Sequence, residues 1–309
     1  MAIGLFVEPG VVYSWRDFKK FKAPFSIALD GFVNAPTRRD HRGPYANYDH
    51  HSGVDRIATR STSDQVHMEI NLNLFDRFRK DGVPTTQIFV NDPDEDTCLA
   101  SWELMHFEQI RGHANPKINR LVYVEDRLDC TAGAYPFGDI TMRRKMAWIF
   151  DPYTRARFEG RLSGLNAQGM KTIMESVHAR IDKYVIDDAQ ESVLEGEYKR
   201  VGGGKSWALV KENGPAARMS LYNDGINAFV SFFDNGNGTW RYMYGRRSAW
   251  VDFPILRLYP LLNKIDPCGI SEGNRHAGSD TIGGSPRKTG SKISPQDLEK
   301  ILNERLHLG

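Results

Sequence analysis

Three consecutive residues, Asp49-His50-His51, bring a carboxylate and two imidazoles together just after a strand-like run, Tyr45-Ala-Asn-Tyr48. A second acidic group, Asp92, Asp94, Glu95 and Asp96, follows the run Gln87-Ile-Phe-Val90, and Asp30 closes a third, Phe25-Ser-Ile-Ala-Leu29. Hard cations take carboxylate oxygens, with imidazole added for manganese or iron. A helix N-cap explains one Asp at a strand-to-helix turn. It does not explain Asp92, Asp94 and Asp96 together, whose mutual repulsion a divalent cation would relieve. The expected chemistry is therefore binding of a hard cation such as manganese or magnesium.

These residues need a scaffold that turns strand ends toward one place. The run Phe25–Leu29 is short, apolar and stopped by Asp30-Gly31, as in a buried parallel strand. Ser61-Thr-Ser-Asp64 supplies N-caps for a helix in which Val66, Ile70, Leu74 and Phe78 recur every fourth residue, with Gly82 and Pro84 as its stop. Leu99, Trp102 and Met105 mark one side of the next helix. Leu121-Val-Tyr-Val124 reads as a further strand running into Glu125–Gly133. The alternation predicts a parallel α/β sheet with helices on both faces, whose ligands gather outside the carboxyl ends of the strands. Asp30, His50, Asp94, Asp96 and either Asp126 or Asp129 then converge on one crevice.

The first domain is expected over 1–165. A long helix from Ala167 to about Ser192, with Met170, Ile173, Val177, Ile181 and Val185 on one side, serves as a connector over 166–194. Beyond it, strand-like runs at Trp207–Val210, Ala217–Tyr222, Ile226–Phe233 and Trp240–Tyr244 alternate with turn signals, among them Glu212-Asn-Gly-Pro215. A smaller α/β domain with a mostly antiparallel sheet is expected over 195–309, with helices at Leu256–Ile265 and after Ser294-Pro295.

Within that domain, Gly283-Gly284-Ser285-Pro-Arg287 can bind phosphate, because paired glycines admit a ligand close to the backbone while hydroxyl, N–H and guanidinium groups hold its oxygens. Arg246-Arg247 is a second candidate clamp. Gly202-Gly-Gly-Lys-Ser206 lacks the leading glycine of a phosphate loop and runs into a strand. The aromatic residues Trp207, Phe229, Phe232, Phe233 and Trp240 read as core.

The 309 residues carry 41 Lys and Arg against 39 Asp and Glu, a balance that argues against binding long duplex nucleic acid by bulk charge. Three scattered cysteines show no disulfide spacing, and the start of the chain lacks the pattern of a signal peptide or membrane span. A cytoplasmic protein without membrane partners is expected, and composition leaves its oligomeric state open.

Asp49-His50-His51 resembles the signature of the DHH phosphoesterase superfamily, and Asp92-Pro-Asp-Glu-Asp96 resembles that family's Pro-Asp-x-Asp motif. The Gly283–Arg287 stretch is similar to the Gly-rich segment of its accessory substrate-binding domain. Two features depart from the pattern. The Pro-Asp-x-Asp segment follows Asp-His-His instead of preceding it, and Val90 stands where the family has a His, with Asn91 beside it. The resemblance implies a manganese-dependent hydrolase of a phosphate ester or anhydride, acting on a small phosphorylated substrate, a nucleotide or a short oligonucleotide. It implies that Asp30 bridges two ions, that His50, Asp94, Asp96 and Asp126 or Asp129 complete their shells, and that Asp49 and His51 are catalytic, with His51 contacting the phosphoryl group. Asn91 is expected to reach toward the place of the missing His. The alternative is a nucleotide-binding or sensing protein without catalysis.

Overall fold

The structure, a computed structural model, describes residues 2–214 and 216–307. Pro215, the last residue of the turn read at Glu212–Pro215, lies outside the described residues, as do Met1, Leu308 and Gly309. The chain divides into two compact units. The first holds the chain up to Cys130 together with Phe137–Val193; the second holds Thr131–Pro136 and the chain from Leu194 onward.

The first unit contains β1 (Ala2–Val7), α1 (Trp15–Phe21), β2 (Ser26–Leu29), β3 (Arg38–Asp40), β4 (Tyr45–Tyr48), α2 (Thr62–Asn71), α3 (Leu74–Arg77), β5 (Arg79–Lys80), β6 (Val83–Val90), α4 (Glu95–Met105), α5 (Pro116–Cys130), α6 (Ile140–Ile149), α7 (Asp151–Phe158) and α8 (Ala167–Ile186). Its sheet has the order β1-β6-β2-β4-β3, parallel except for edge strand β3, and β5 forms a hairpin with β6. All four residues of β2 are buried, which accounts for its uninterrupted apolar character. Phe18 of α1 packs on Ala28 and Phe89, while α2, α4 and α8 pack against β1, β2 and β4.

Three expectations for this unit are corrected. Leu121–Val124 belongs to helix α5, started by Asn115, whose side chain accepts from the N–H groups of Lys117 and Ile118, and by Pro116 at the first helical position. Ile118, Leu121, Val122 and Glu125 are buried at helical spacing. The helix begun at Ser61 stops at Asn71, because Asn73 adopts a left-handed conformation (φ 72°); Leu74 and Phe78 are buried but lie beyond the break. Finally, α8 is an integral part of the first unit and not a connector: His178 bonds the Cys98 carbonyl, and Trp102 Nε1 donates to Asp182.

The second unit contains β7 (Glu197–Gly203), β8 (Ala208–Asn213), α9 (Ala217–Asn223), β9 (Ala228–Asp234), β10 (Trp240–Arg246), α10 (Ile255–Ile265), β11 (Ala277–Gly278), β12 (Ile282–Gly284) and α11 (Pro295–Arg305). The sheet order is β11-β12-β10-β9-β8-β7, antiparallel except where β8 runs parallel to β9. That parallel pair requires a crossover, and the crossover is α9, where Ala217–Tyr222 had read as a strand. Ala217, Leu221 and Tyr222 are its buried face.

Candidate metal centre

The sheet register sets the site. Leu29 pairs with Tyr48, and Ala28 with Phe89, so Asp30, Asp49 and Asn91 leave the sheet along the same carboxyl edge. Asp30 takes a positive φ of 44° and donates its N–H to the Tyr48 carbonyl, a conformation that Asp tolerates better than most side chains. The chain thereby turns at once, with the buried carboxylate facing the residues that follow β4.

His50 is the centre of the cluster. Its imidazole is fully buried, and Nε2 lies 2.7 Å from Asp129 Oδ2, 3.6 Å from Asp30 Oδ1 and 3.6 Å from Asp96 Oδ2. None of these contacts has hydrogen-bond geometry, so Nε2 is a buried polar atom aimed among three carboxylates without a directional partner. The surrounding carboxylates can hold a proton on this nitrogen or, in the proton's place, a cation. The described residues form two groups of metal-ligand geometry, His50 with Asp96 and Asp129, and Asp30 with His50 and His51. One imidazole with carboxylates is a donor set that a divalent cation can take.

The electrostatics follow from burial and charge. Burial raises the Asp96 carboxyl to about 6, with Asp129 adding to the effect and His50 opposing it. Burial disfavours charge on His50, but Asp129 and Asp30 outweigh it and push the imidazole up to about 12. Burial likewise opposes ionisation of Asp30, where His51 and His50 hold the carboxyl well below its usual range, and of Asp129, where Arg56 and His50 do the same. Asp49, completely buried, is raised by burial and by Asp30; one oxygen accepts from the His51 N–H at 2.7 Å and the other has no hydrogen-bond partner.

Two of the expected ligands also hold the scaffold, and Asp94 lies against Asp30 while doing so. Asp94 caps α4, accepting from the Thr97 N–H at 2.8 Å; burial, Asp30 and Asp92 raise its carboxyl well above the ordinary value. Asp126 accepts from the Ser61 N–H at 2.8 Å and pairs with Arg127, whereas Asp129, one turn later on α5, reaches His50. Asn91 does not face the cluster as expected: its amide donates to the carbonyls of Val11 and Gly31, joining the loops after β1 and β2. His51 is the accessible member, with a side chain 38% exposed and Nε2 3.1 Å from Asp30 Oδ1.

The sequence reading missed Arg56. Its guanidinium lies almost buried, with Nη2 2.9 and 3.0 Å from the two Asp129 oxygens and Nη1 3.1 Å from His51 Nδ1. The only advance signal was an Arg in the short loop after Asp-His-His. Thr62 was also missed; its hydroxyl donates to Asp30 Oδ1 at 3.0 Å.

In the second unit, Gly283 and Gly284 belong to β12, and a Cβ on Gly283 would fall 2.0 Å from Tyr259 Oη, so close side-chain packing already requires a glycine there. Ser285 is buried, and its hydroxyl accepts from the Tyr242 N–H. Arg246 is not available as a phosphate clamp, because its guanidinium donates to the carbonyls of Asp280, Val251 and Phe253. Arg247 and Arg287 are exposed. At the Gly-rich stretch Gly202–Ser206, the Gly203 N–H donates to Glu299, so a carboxylate sits where a phosphate loop would hold an anion. No helix among the described residues is long and apolar enough to cross a membrane. No protein-family model matches the chain, and a search of the curated proteins likewise finds no match.

Proposed function

We propose that this protein is a metal-dependent phosphoesterase of the DHH type, hydrolysing a phosphate ester or anhydride of a nucleotide or short oligonucleotide. The observation that carries the reading is His50 Nε2, buried and directed among the carboxylates of Asp30, Asp96 and Asp129. A manganese ion held there by His50, Asp96 and Asp129 would supply Lewis acidity, polarising a phosphoryl oxygen and lowering the pKa of water.

The protein's own groups do the rest. Asp96 is fixed by the N–H groups of Thr62 and Ser63, and Asp129 by Arg56, so neither carboxylate must reorganise to bind. His51 presents an accessible imidazole that can donate a hydrogen bond to an anionic phosphoryl oxygen. On the second unit, the family resemblance makes exposed Arg287 a candidate phosphate contact. The three cysteines, unpaired and buried, agree with a reducing cytoplasmic setting.

A second reading, a nucleotide-binding or sensing protein without catalysis, is favoured by one feature. Val90 replaces the family's His, and Asn91, engaged by two carbonyls, does not replace it. Elemental analysis followed by a panel of nucleotides, bisphosphorylated nucleotides, cyclic dinucleotides, short oligonucleotides and polyphosphate separates the two. Bound manganese with phosphate or nucleotide release supports the esterase; tight nucleotide binding with no product from any substrate supports the sensor.

A further inference from the structure

Arg56 contributes a permanent positive charge at the edge of the cluster, and its hydrogen bonds determine what its neighbours can do. An arginine side chain only donates. With Arg56 Nη1 3.1 Å from His51 Nδ1, that nitrogen must be the acceptor, and the imidazole proton belongs on Nε2, which faces Asp30 Oδ1 at 3.1 Å and Oδ2 at 3.3 Å. To offer a lone pair from Nε2 the His51 ring would have to carry its proton on Nδ1, where the Arg56 donor already points. The group formed by Asp30, His50 and His51 is therefore closed while Arg56 stays in place.

The two candidate groups also compete for one atom. His50 belongs to both, and Nε2 is the nitrogen that approaches Asp30, Asp96 and Asp129. Its single lone pair serves one ion, so a second ion would have to be held by Asp30 and His51 without it. The other ring nitrogen lies 3.8 Å from the buried Cys130 sulfur, away from the carboxylates.

We infer that Arg56 takes the place of a second metal ion: the centre binds one divalent cation at His50, Asp96 and Asp129, and Arg56 acts as a positioning residue that fixes the His51 tautomer. This inference rests on the cation-binding reading of the site but not on the identity of the substrate. It leaves Asp30 paired with His51 instead of bridging two ions.

The test is manganese stoichiometry, read as free Mn(II) by electron paramagnetic resonance during titration of the purified full-length chain. One ion per chain is expected for the native protein and for Arg56→Lys. Arg56→Met, which keeps the length of the stem and removes the donors, is expected to take two. Two ions in the native protein, or one in a folded Arg56→Met, would overturn the inference while leaving the metal centre standing. No ion in the native protein would remove the metal centre itself and this inference with it. Independently of any variant's folding, ¹H–¹⁵N correlation spectra of the metal-free native protein should show His51 with its proton on Nε2. A proton on Nδ1 would overturn the role given to Arg56.

Discussion

The Thr62 N–H donates to Asp96 Oδ2 at 2.6 Å, so a carboxylate at the start of α4 receives the amino end of α2. Ser63 N–H adds a bond to Oδ1 at 2.8 Å, and Asp126 takes the N–H of Ser61. These helix-end donors would otherwise be buried without acceptors. Asp96 is thus both a candidate ligand and a structural acceptor. Asp96→Asn should lower manganese content and also destabilise the metal-free fold by on the order of 2 kcal/mol, since bonds to a charged group are lost. Urea unfolding in chelator measures the second effect; an unchanged midpoint would show that Asp96 is not needed to hold α2.

His50 and Asp94 separate ligand from scaffold. His50→Ala should abolish tight manganese binding, because the imidazole is central to both candidate groups. Asp94→Ala removes the cap on Thr97 and should cost about 1 kcal/mol while the protein still retains one ion. Elemental analysis beside unfolding curves distinguishes them. Full manganese content in His50→Ala would contradict the centre as described.

His178 supplies a pH dependence away from the cluster. Burial depresses its imidazole from 6.5 to about 4, although Nε2 bonds the Cys98 carbonyl. The native state keeps the ring neutral while the unfolded chain takes up a proton below 6.5. Its contribution is therefore complete above pH 6.5 and is lost as pH falls toward 4, roughly 3 kcal/mol across that window. His178→Gln retains a donor but does not titrate, so its unfolding free energy should fall less steeply than that of the native protein between these pH values. Parallel slopes would refute the assignment.

In the second unit, Arg246 and Arg287 should behave differently. Arg246→Ala breaks donations to the Asp280, Val251 and Phe253 carbonyls and should lower stability by roughly 1.5–3 kcal/mol, as expected for loss of charged hydrogen bonds. Arg287→Ala should raise KM about ten- to a hundredfold with kcat nearly unchanged if the Gly-rich segment holds a substrate phosphate. Native kinetics in Arg287→Ala would assign the Gly-rich segment to structure alone.

The parallel strands were legible because buried runs such as Ser26–Leu29 end abruptly in acids, and the same punctuation revealed Asp30, Asp49 and Asp96. Helix α5 was not, because Leu121–Val124 satisfies strand and helix patterns equally over four residues. The start signal Asn115-Pro116 and the buried positions extending to Glu125 carried the missing information. Arg246 misled because an arginine that organises carbonyls looks in sequence like one waiting for phosphate. Arg56 was invisible for the opposite reason: its role depends on α5 carrying Asp129 to it from a distant part of the chain.

The short segment Thr131–Pro136 gives synthesis a particular order. Asp129 and Cys130 end α5 in the first unit, but the next six residues belong to the second, where Ala134 packs with Val210, Leu221 and Phe229, and Arg218 bonds the Ala132 carbonyl. Those partners leave the ribosome long after α5. A nascent chain stopped near Val193 has the strands, α2, α5 and α8, yet Thr131–Pro136 lacks Val210, Leu221, Phe229 and Arg218. Because domains generally fold as units as they emerge, Thr131–Pro136 gains its anchors only once the carboxyl-terminal half has been made. A first unit expressed alone would carry Thr131–Pro136 without the partners it packs on in the full chain.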